Sequence, residues 1–335
     1  MRNDLSETPP PARVVSSARA YVLKDVRISR RSRFVIWLLR MFLRPWLAWV
    51  IRGPLERLAR MQLLIVSQPC RDTSGLALEY RVIGQAPGAV PGHVLGNLAD
   101  TRKPAILYLH GGAFVLPAAP DAHARLLGKL CRELDAVGFL VDYRLAPANK
   151  FPAALDDCER AYRALLDQGF SAARIVIAGE SAGGNLTLAV LQRIRKHGWP
   201  MPACAVPISA GTETGRLHGL PSRTSRMKRD ALLSISSLHR IAEFYVGNAD
   251  TSDPELSPLY ADLRGFPPLY LIASDAEVLR DDTVLFAQRA REAGVVTQMD
   301  IWPVLPHAFP VLEQWLPEAA QARADIVGFV RKYLK

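Results

Sequence analysis

The chain has 335 residues, 49% of them hydrophobic, with a formal net charge of +10 and four cysteines. That is enough apolar material for one large core, and the length permits one or two domains. Residues 1–60 carry thirteen basic and four acidic residues and so hold nine of the ten net charges; no basic stripe runs through the rest, which argues against a nucleic-acid binder. Cys70, Cys131, Cys158 and Cys204 form no C-x-x-C pair, so neither a metal cluster nor a thioredoxin-like motif follows, and the thiols are read as reduced and the compartment as cytoplasmic.

Residues 1–70 read as an N-terminal helical segment. Within it, residues 34–51 (FVIWLLRMFLRPWLAWVI) are apolar enough to suggest a membrane span, but Arg40, Arg44 and Pro45 interrupt them. An arginine at mid-membrane costs about 2.5–3.5 kcal/mol. Arg33, Arg40 and Arg44 recur at helical spacing, so the expectation is an amphipathic helix over residues 30–52 that lies on a protein or on a membrane surface. The pair Arg30-Arg31 precedes it, but no small-residue cleavage site follows, against an export signal.

After Pro69 the texture changes. Residues 76–83 (LALEYRVI) read as a strand, and residues 86–103, rich in Gly and Pro, as turn and loop. A β-then-α rhythm follows. Strands are expected at 105–109, 136–143, 174–178, 203–208, 269–273 and 295–302. Helices are expected at 122–134, 153–168, 182–196, 232–245, 282–293 and 318–333. Strands this apolar, separated by helices, predict a mostly parallel sheet covered on both faces. Residues 1–70 and about 209–245 fall outside the rhythm and are read together as a lid, over a main domain of residues 71–335.

Four groups carry chemistry. Gly179-Glu180-Ser181-Ala182-Gly183 matches G-x-S-x-G; it follows the strand RIVIA and opens a helix, where a strained turn would expose a nucleophilic serine. His110-Gly111-Gly112-Ala113 follows the strand AILYL. Its glycines allow close backbone approach, so the N–H groups of Gly111 and Gly112, with that of Ala182, are the candidate donors to a developing oxyanion. His110 is read as shaping that loop. Of seven histidines, only His307 stands in a late loop beyond a strand and downstream of an acid candidate, matching the order Ser, acid, His. After LYLIA, both Asp275 and Glu277 qualify by position as the acid.

Together these pieces resemble the hormone-sensitive-lipase family of α/β-hydrolases, also called bacterial family IV esterases. The similarity runs from about Ile106 to Phe309. It is carried by HGGAF (110–114), DYRLAP (142–147), FPAALDD (151–157), GESAGG (179–184), SPLYADLRGFPP (257–268), EVLRDD (277–282) and PHAF (306–309). The chain departs from the family at Ala113, where a third glycine is usual, at Glu180, where Asp is commoner, and at Ala148-Asn149-Lys150. The resemblance implies an α/β-hydrolase fold with a helical cap and hydrolysis of esters with short or medium acyl chains. It implies no metal or organic cofactor, and a monomer or homodimer. Its register assigns the acid to Glu277, so that Ser181, Glu277 and His307 are the expected catalytic residues. The near alternative is an amide, arylacetamide or formamide hydrolase; a catalytically idle ligand-binding receptor on the same fold would be expected to lack one of these residues.

Overall fold

The computed structural model describes residues 21–68, 75–215 and 220–334. Cys70 and the boundary expected near residue 70 lie outside them. Among the described residues, eight strands form one sheet in the order β1-β2-β4-β3-β5-β6-β7-β8. They are β1 (Leu78–Ile83), β2 (Val90–Leu95), β3 (Ala105–Leu109), β4 (Val137–Val141), β5 (Ile175–Glu180), β6 (Cys204–Ile208), β7 (Leu269–Ser274) and β8 (Thr297–Trp302). From β4 to β8 every pairing is parallel; only β2 runs against its neighbours.

Strand β2 corrects one expectation. Residues 86–103 read as loop because Pro91 and Gly92 interrupt the apolar run. Both suit this place. Pro91 offers only its carbonyl, which accepts from the Asp142 N–H at 2.9 Å. At Gly92 an added Cβ would strike the Leu140 carbonyl oxygen. Residues that usually break a strand here permit a close pairing.

The buried strands are apolar on both faces, as a covered parallel sheet requires. Leu107, Leu109, Ile175 and Ile177 pack against helices α5 (Ala153–Asp167), α6 (Ala182–Lys196) and α9 (Arg280–Glu292). Ile106, Tyr108, Val176 and Tyr270 face helices α4 (Pro120–Leu134) and α10 (Pro317–Tyr333). At about 25 cal/mol per Å² of apolar surface removed from water, these two layers supply most of the fold's driving force.

The stretches outside the β-α rhythm lie at the carboxyl ends of the strands. The N-terminal segment contributes α1 (Arg30–Leu38), a wide π turn (Leu39–Leu43), α2 (Arg44–Ile51) and α3 (Leu55–Val66). The later insertion contributes α7 (Pro221–Ser225) and α8 (Ile235–Tyr245), and α2 packs on α8. Ser29 caps α1, and both its N–H and the Ser32 hydroxyl bond to Glu318 on α10. The Arg40 and Arg44 guanidinium groups donate to the carbonyls of Arg229 and Met227, each at 2.6 Å. The helix is therefore fastened to the insertion by its basic side, and its aromatic side faces away from the protein. Arg30–Ile51 is long and apolar enough to cross a membrane by length and composition, the one such helix among the described residues.

Candidate active site

Each candidate residue follows the carboxyl end of a parallel strand, the edge where open α/β sheets gather ligands and catalytic groups. Ser181 follows β5 and caps α6 with φ 56° and ψ −117°, a conformation non-glycine residues avoid. The surroundings enforce it: an added Cβ at Gly183 would meet the Leu109 carbonyl, so strand, turn and helix can close this tightly only with glycine there. Among the described residues, seven non-glycine residues have positive φ, and Ala113, Phe114, Ser181, Ser209 and Ala308 all border this site. Strain gathered in one place is characteristic of functional sites.

The structure brings Ser181, His307 and Glu277 together. His307 Nε2 lies 2.8 Å from Ser181 Oγ, and His307 Nδ1 lies 2.7 Å from Glu277 Oε2. Glu277 is fully buried. Its other oxygen accepts from Ser209 Oγ at 2.8 Å and from the Ser274 N–H at 2.7 Å, so the carboxylate cannot swing away from the imidazole. Asp275, the other positional candidate, lies elsewhere. It accepts from the Tyr21 hydroxyl at 2.7 Å and pairs with Arg226 and Arg280 at 3.0 and 3.1 Å.

Burial opposes a charged imidazolium, but the hydrogen bond that His307 donates to Glu277 and the negative charges of Glu277, Asp230 and Glu180 outweigh it, so the pKa of His307 is raised. Burial likewise pushes the Glu277 carboxyl up, against the opposing pull of His307 and Ser209. Asp230 was not foreseen from sequence. It takes the Val278 N–H at 2.9 Å on one oxygen and the Leu232 and Leu233 N–H groups at 2.8 Å on the other, joining the insertion to the loop that carries Glu277.

The oxyanion loop departs from expectation at Gly111. Its N–H is committed to Glu180 Oε1 and does not face the reacting centre. Glu180 is a buried carboxylate that also accepts from Tyr108 Oη at 2.6 Å and pairs with His123 Nε2 at 2.7 Å. Burial raises its pKa, but His123, Tyr108 and the Gly111 N–H together bring it below the ordinary value. Gly111 is needed for space, since a Cβ there would lie 2.7 Å from Glu180 Oε1. Gly112 follows at φ 121°, where a Cβ would sit 2.5 Å from the Leu116 carbonyl oxygen. Among the described residues, no hydrogen bond engages the N–H of Gly112 or Ala113. Ala182, the first residue of α6, has no acceptor within its own helix. Gly112 and Ala182 thus remain candidate donors, and Ala113 replaces Gly111. His110 shapes the loop: its Nδ1 donates to the Gly111 carbonyl at 2.6 Å and its ring stacks on Tyr143 at 4.1 Å. Burial first, then His123, pushes its pKa down to about 4, so it is neutral at pH 7.

Ser181 opens into a half-open pocket beneath the cap. Phe114, Leu233, Leu238, Ile241 and Leu279 supply its apolar wall, and Asn185, Glu213, Thr214 and Arg223 its polar side. Arg223 is fully buried and holds Asp282 at 2.7 Å and Glu213 at 3.0 Å, which fastens α7 to α9. Among the described residues, no group of acidic, histidine and cysteine side chains is arranged to hold a metal ion.

A strained serine, a histidine within bonding distance and a buried carboxylate behind it define the class of serine hydrolases on an α/β sheet. The sequence profile of the α/β-hydrolase fold matches residues 106–311. An esterase of Mycobacterium tuberculosis, LipU, is 33% identical over 294 residues, covering 86% of this chain and 94% of that one. An acetyl-hydrolase of Streptomyces hygroscopicus is 38% identical over 226 residues, 68% of this chain and 75% of its own. A crystal structure of a hormone-sensitive lipase from a metagenome library superposes with a TM-score of 0.79 at 32% identity, covering 92% of this chain and all of that one. The esterase EstE5, soaked with p-nitrophenyl butyrate, gives 0.81 at 31% identity, over 91% of this chain and 99% of its own. The chain belongs to the hormone-sensitive-lipase family of α/β-hydrolases. It is a carboxylic-ester hydrolase.

Proposed function

We propose that Ser181 attacks the ester carbonyl while His307 Nε2 accepts its proton, and that Glu277 holds the imidazole in the required tautomer and stabilises its charged form. The observation that carries this reading is the continuous hydrogen-bonded line from Ser181 through His307 to the buried Glu277. The N–H groups of Gly112, Ala113 and Ala182 receive the oxyanion at the positive end of α6. His307 returns its proton to the departing alcohol. It then activates the water that releases the acid from the acyl-enzyme.

The substrate is a small ester with an acyl chain of roughly two to eight carbons, in keeping with an apolar pocket of finite volume beside Ser181. The N-terminal helices and the 209–245 insertion act as a cap, since α8 both walls the pocket and packs on α2. Peripheral contact of residues 30–52 with a membrane surface is supported by the outward aromatic face of their helix. Rates measured on a ladder of nitrophenyl esters test the substrate reading, which expects a maximum within this range. Faster cleavage of emulsified long-chain triglycerides would overturn it.

A further inference from the structure

The helix Arg30–Ile51 has an unusual surface for one packed on a protein. Only Ser32, Ile36, Val50 and Ile51 are buried. Phe34, Trp37, Met41, Trp46 and Trp49 are each 42–60% exposed. On an unbroken α-helix, turning about 100° per residue, Trp46 would point about 120° away from Phe34. The π turn at Leu39–Leu43 takes up one residue, which brings the difference to about 20°. The wide turn thus aligns the aromatic residues on either side of it into one outward stripe. Leu55, Leu63 and Leu64 on α3 continue the exposed apolar surface.

The rim of this stripe is basic. Arg30, Arg33, Arg52 and Arg60 are exposed. Among the described residues, none of them, nor Arg40 or Arg44, forms an ion pair with a carboxylate. Because Arg40 and Arg44 bond to carbonyls of the insertion, they bring the exposed Lys228 alongside. Tryptophan in line with uncompensated arginine suits the interface of an anionic bilayer, where the indole sits among headgroups and the cations meet lipid charge. A second copy of this chain would present the same sign of charge, so a face-to-face pair would repel at its rim.

We propose that this stripe docks the enzyme on an anionic membrane surface, and that esters dissolved in that surface are its substrates. The second clause rests on the esterase reading above. It follows from the packing: α2, which carries Trp46 and Trp49, lies against α8, whose Leu238, Ile241 and Ala242 wall the pocket. The Gln62 side chain of α3 donates to the Val115 carbonyl, next to the oxyanion loop, at 2.6 Å. The docked surface and the pocket wall are one packing layer apart.

The test uses the full chain, its Trp37→Ser/Trp46→Ser/Trp49→Ser variant and its Arg30→Gln/Arg33→Gln/Arg60→Gln variant, in flotation with vesicles of phosphatidylcholine alone or with phosphatidylglycerol. The wild type should float with the anionic vesicles and remain below with the neutral ones. Each arginine removed should weaken binding about fivefold at low salt, and the tryptophan variant should lose flotation. All three proteins should cleave soluble p-nitrophenyl butyrate equally, and only the wild type should be faster on a medium-chain ester dissolved in anionic vesicles. No flotation of the wild type, flotation of the tryptophan variant equal to it, or a lipid-free dimer that the tryptophan changes dissociate would overturn docking. Docking with equal rates on the vesicle-borne ester would overturn the delivery clause. Absence of cleavage of the soluble ester would instead count against the esterase reading and leave the flotation result standing.

Discussion

Behind His307 stands a carboxylate with every oxygen occupied. Glu277 receives Ser209, Ser274 and His307, while Asp275 is held by Tyr21, Arg226 and Arg280. Glu277→Gln should therefore lower kcat by about 10⁴-fold, the loss that accompanies the wrong tautomer in a serine protease triad. Asp275→Asn should change kcat by less than about tenfold, because it touches neither His307 nor Ser181. Steady-state kinetics on one soluble ester checks both, and a reversed ranking contradicts the assignment. The pH profile supplies a second check. A proton-accepting His307 must be neutral in the free enzyme, so kcat/KM rises with pH as it deprotonates. Since its pKa is raised above the ordinary 6.5, the rise should be centred above that pH, and in Glu277→Gln the residual activity should rise at lower pH. Glu180 makes a separate prediction. It touches no reacting atom in this arrangement but fixes Gly111 and His123, so Glu180→Gln should reduce kcat by about 10²-fold with little change in KM. Equal loss in both would mean that it positions the substrate and not the loop.

At the scale of elements, the cap hangs on charges that the sequence shows only as a motif. Asp281 and Asp282, the end of EVLRDD, bind the Ser222 N–H and the buried Arg223. Arg223→Met leaves Glu213 and Asp282 buried without their cation and should cost about 3–5 kcal/mol of stability. Thermal or denaturant unfolding measures it, and a loss below about 1 kcal/mol would show that the pair does not fasten the insertion. Much of this level was legible beforehand. Largely apolar runs of five to eight residues mark β3 to β7, and the serine is identifiable because its pentapeptide stands between a strand and a helix. Strand β2 was hidden because Pro91 and Gly92 carry the signature of a turn, although an antiparallel partner of β4 accommodates both. The commitment of Gly111 was hidden for another reason. Which N–H of a glycine pair points inward depends on Glu180, and the residue before the serine in G-x-S-x-G gives no sign that its side chain reaches back to the neighbouring loop. The acid was open between two positions until family register favoured Glu277, because residues two apart after a strand are alike in local pattern.

For the molecule as a whole, the N-terminal segment does more than cover a pocket. Leu23 bridges to Ile301 at the sheet edge, Lys24 pairs with Asp300 at 2.6 Å, and Glu318 on α10 caps the start of α1. Removing residues 1–50 therefore takes away contacts to β8 and α10 as well as to the cap, and should lower the melting temperature as well as impair activity on apolar esters. In the proposed mechanism this molecule works through an acyl-enzyme on one serine. The most direct measurement treats the intact protein with an organophosphate ester and locates the adduct by peptide mass spectrometry. One adduct per chain is expected, on Ser181, formed in step with loss of activity, and neither adduct nor activity in Ser181→Ala. An adduct on another residue, or a Ser181→Ala protein that keeps more than a few per cent of activity, would contradict it.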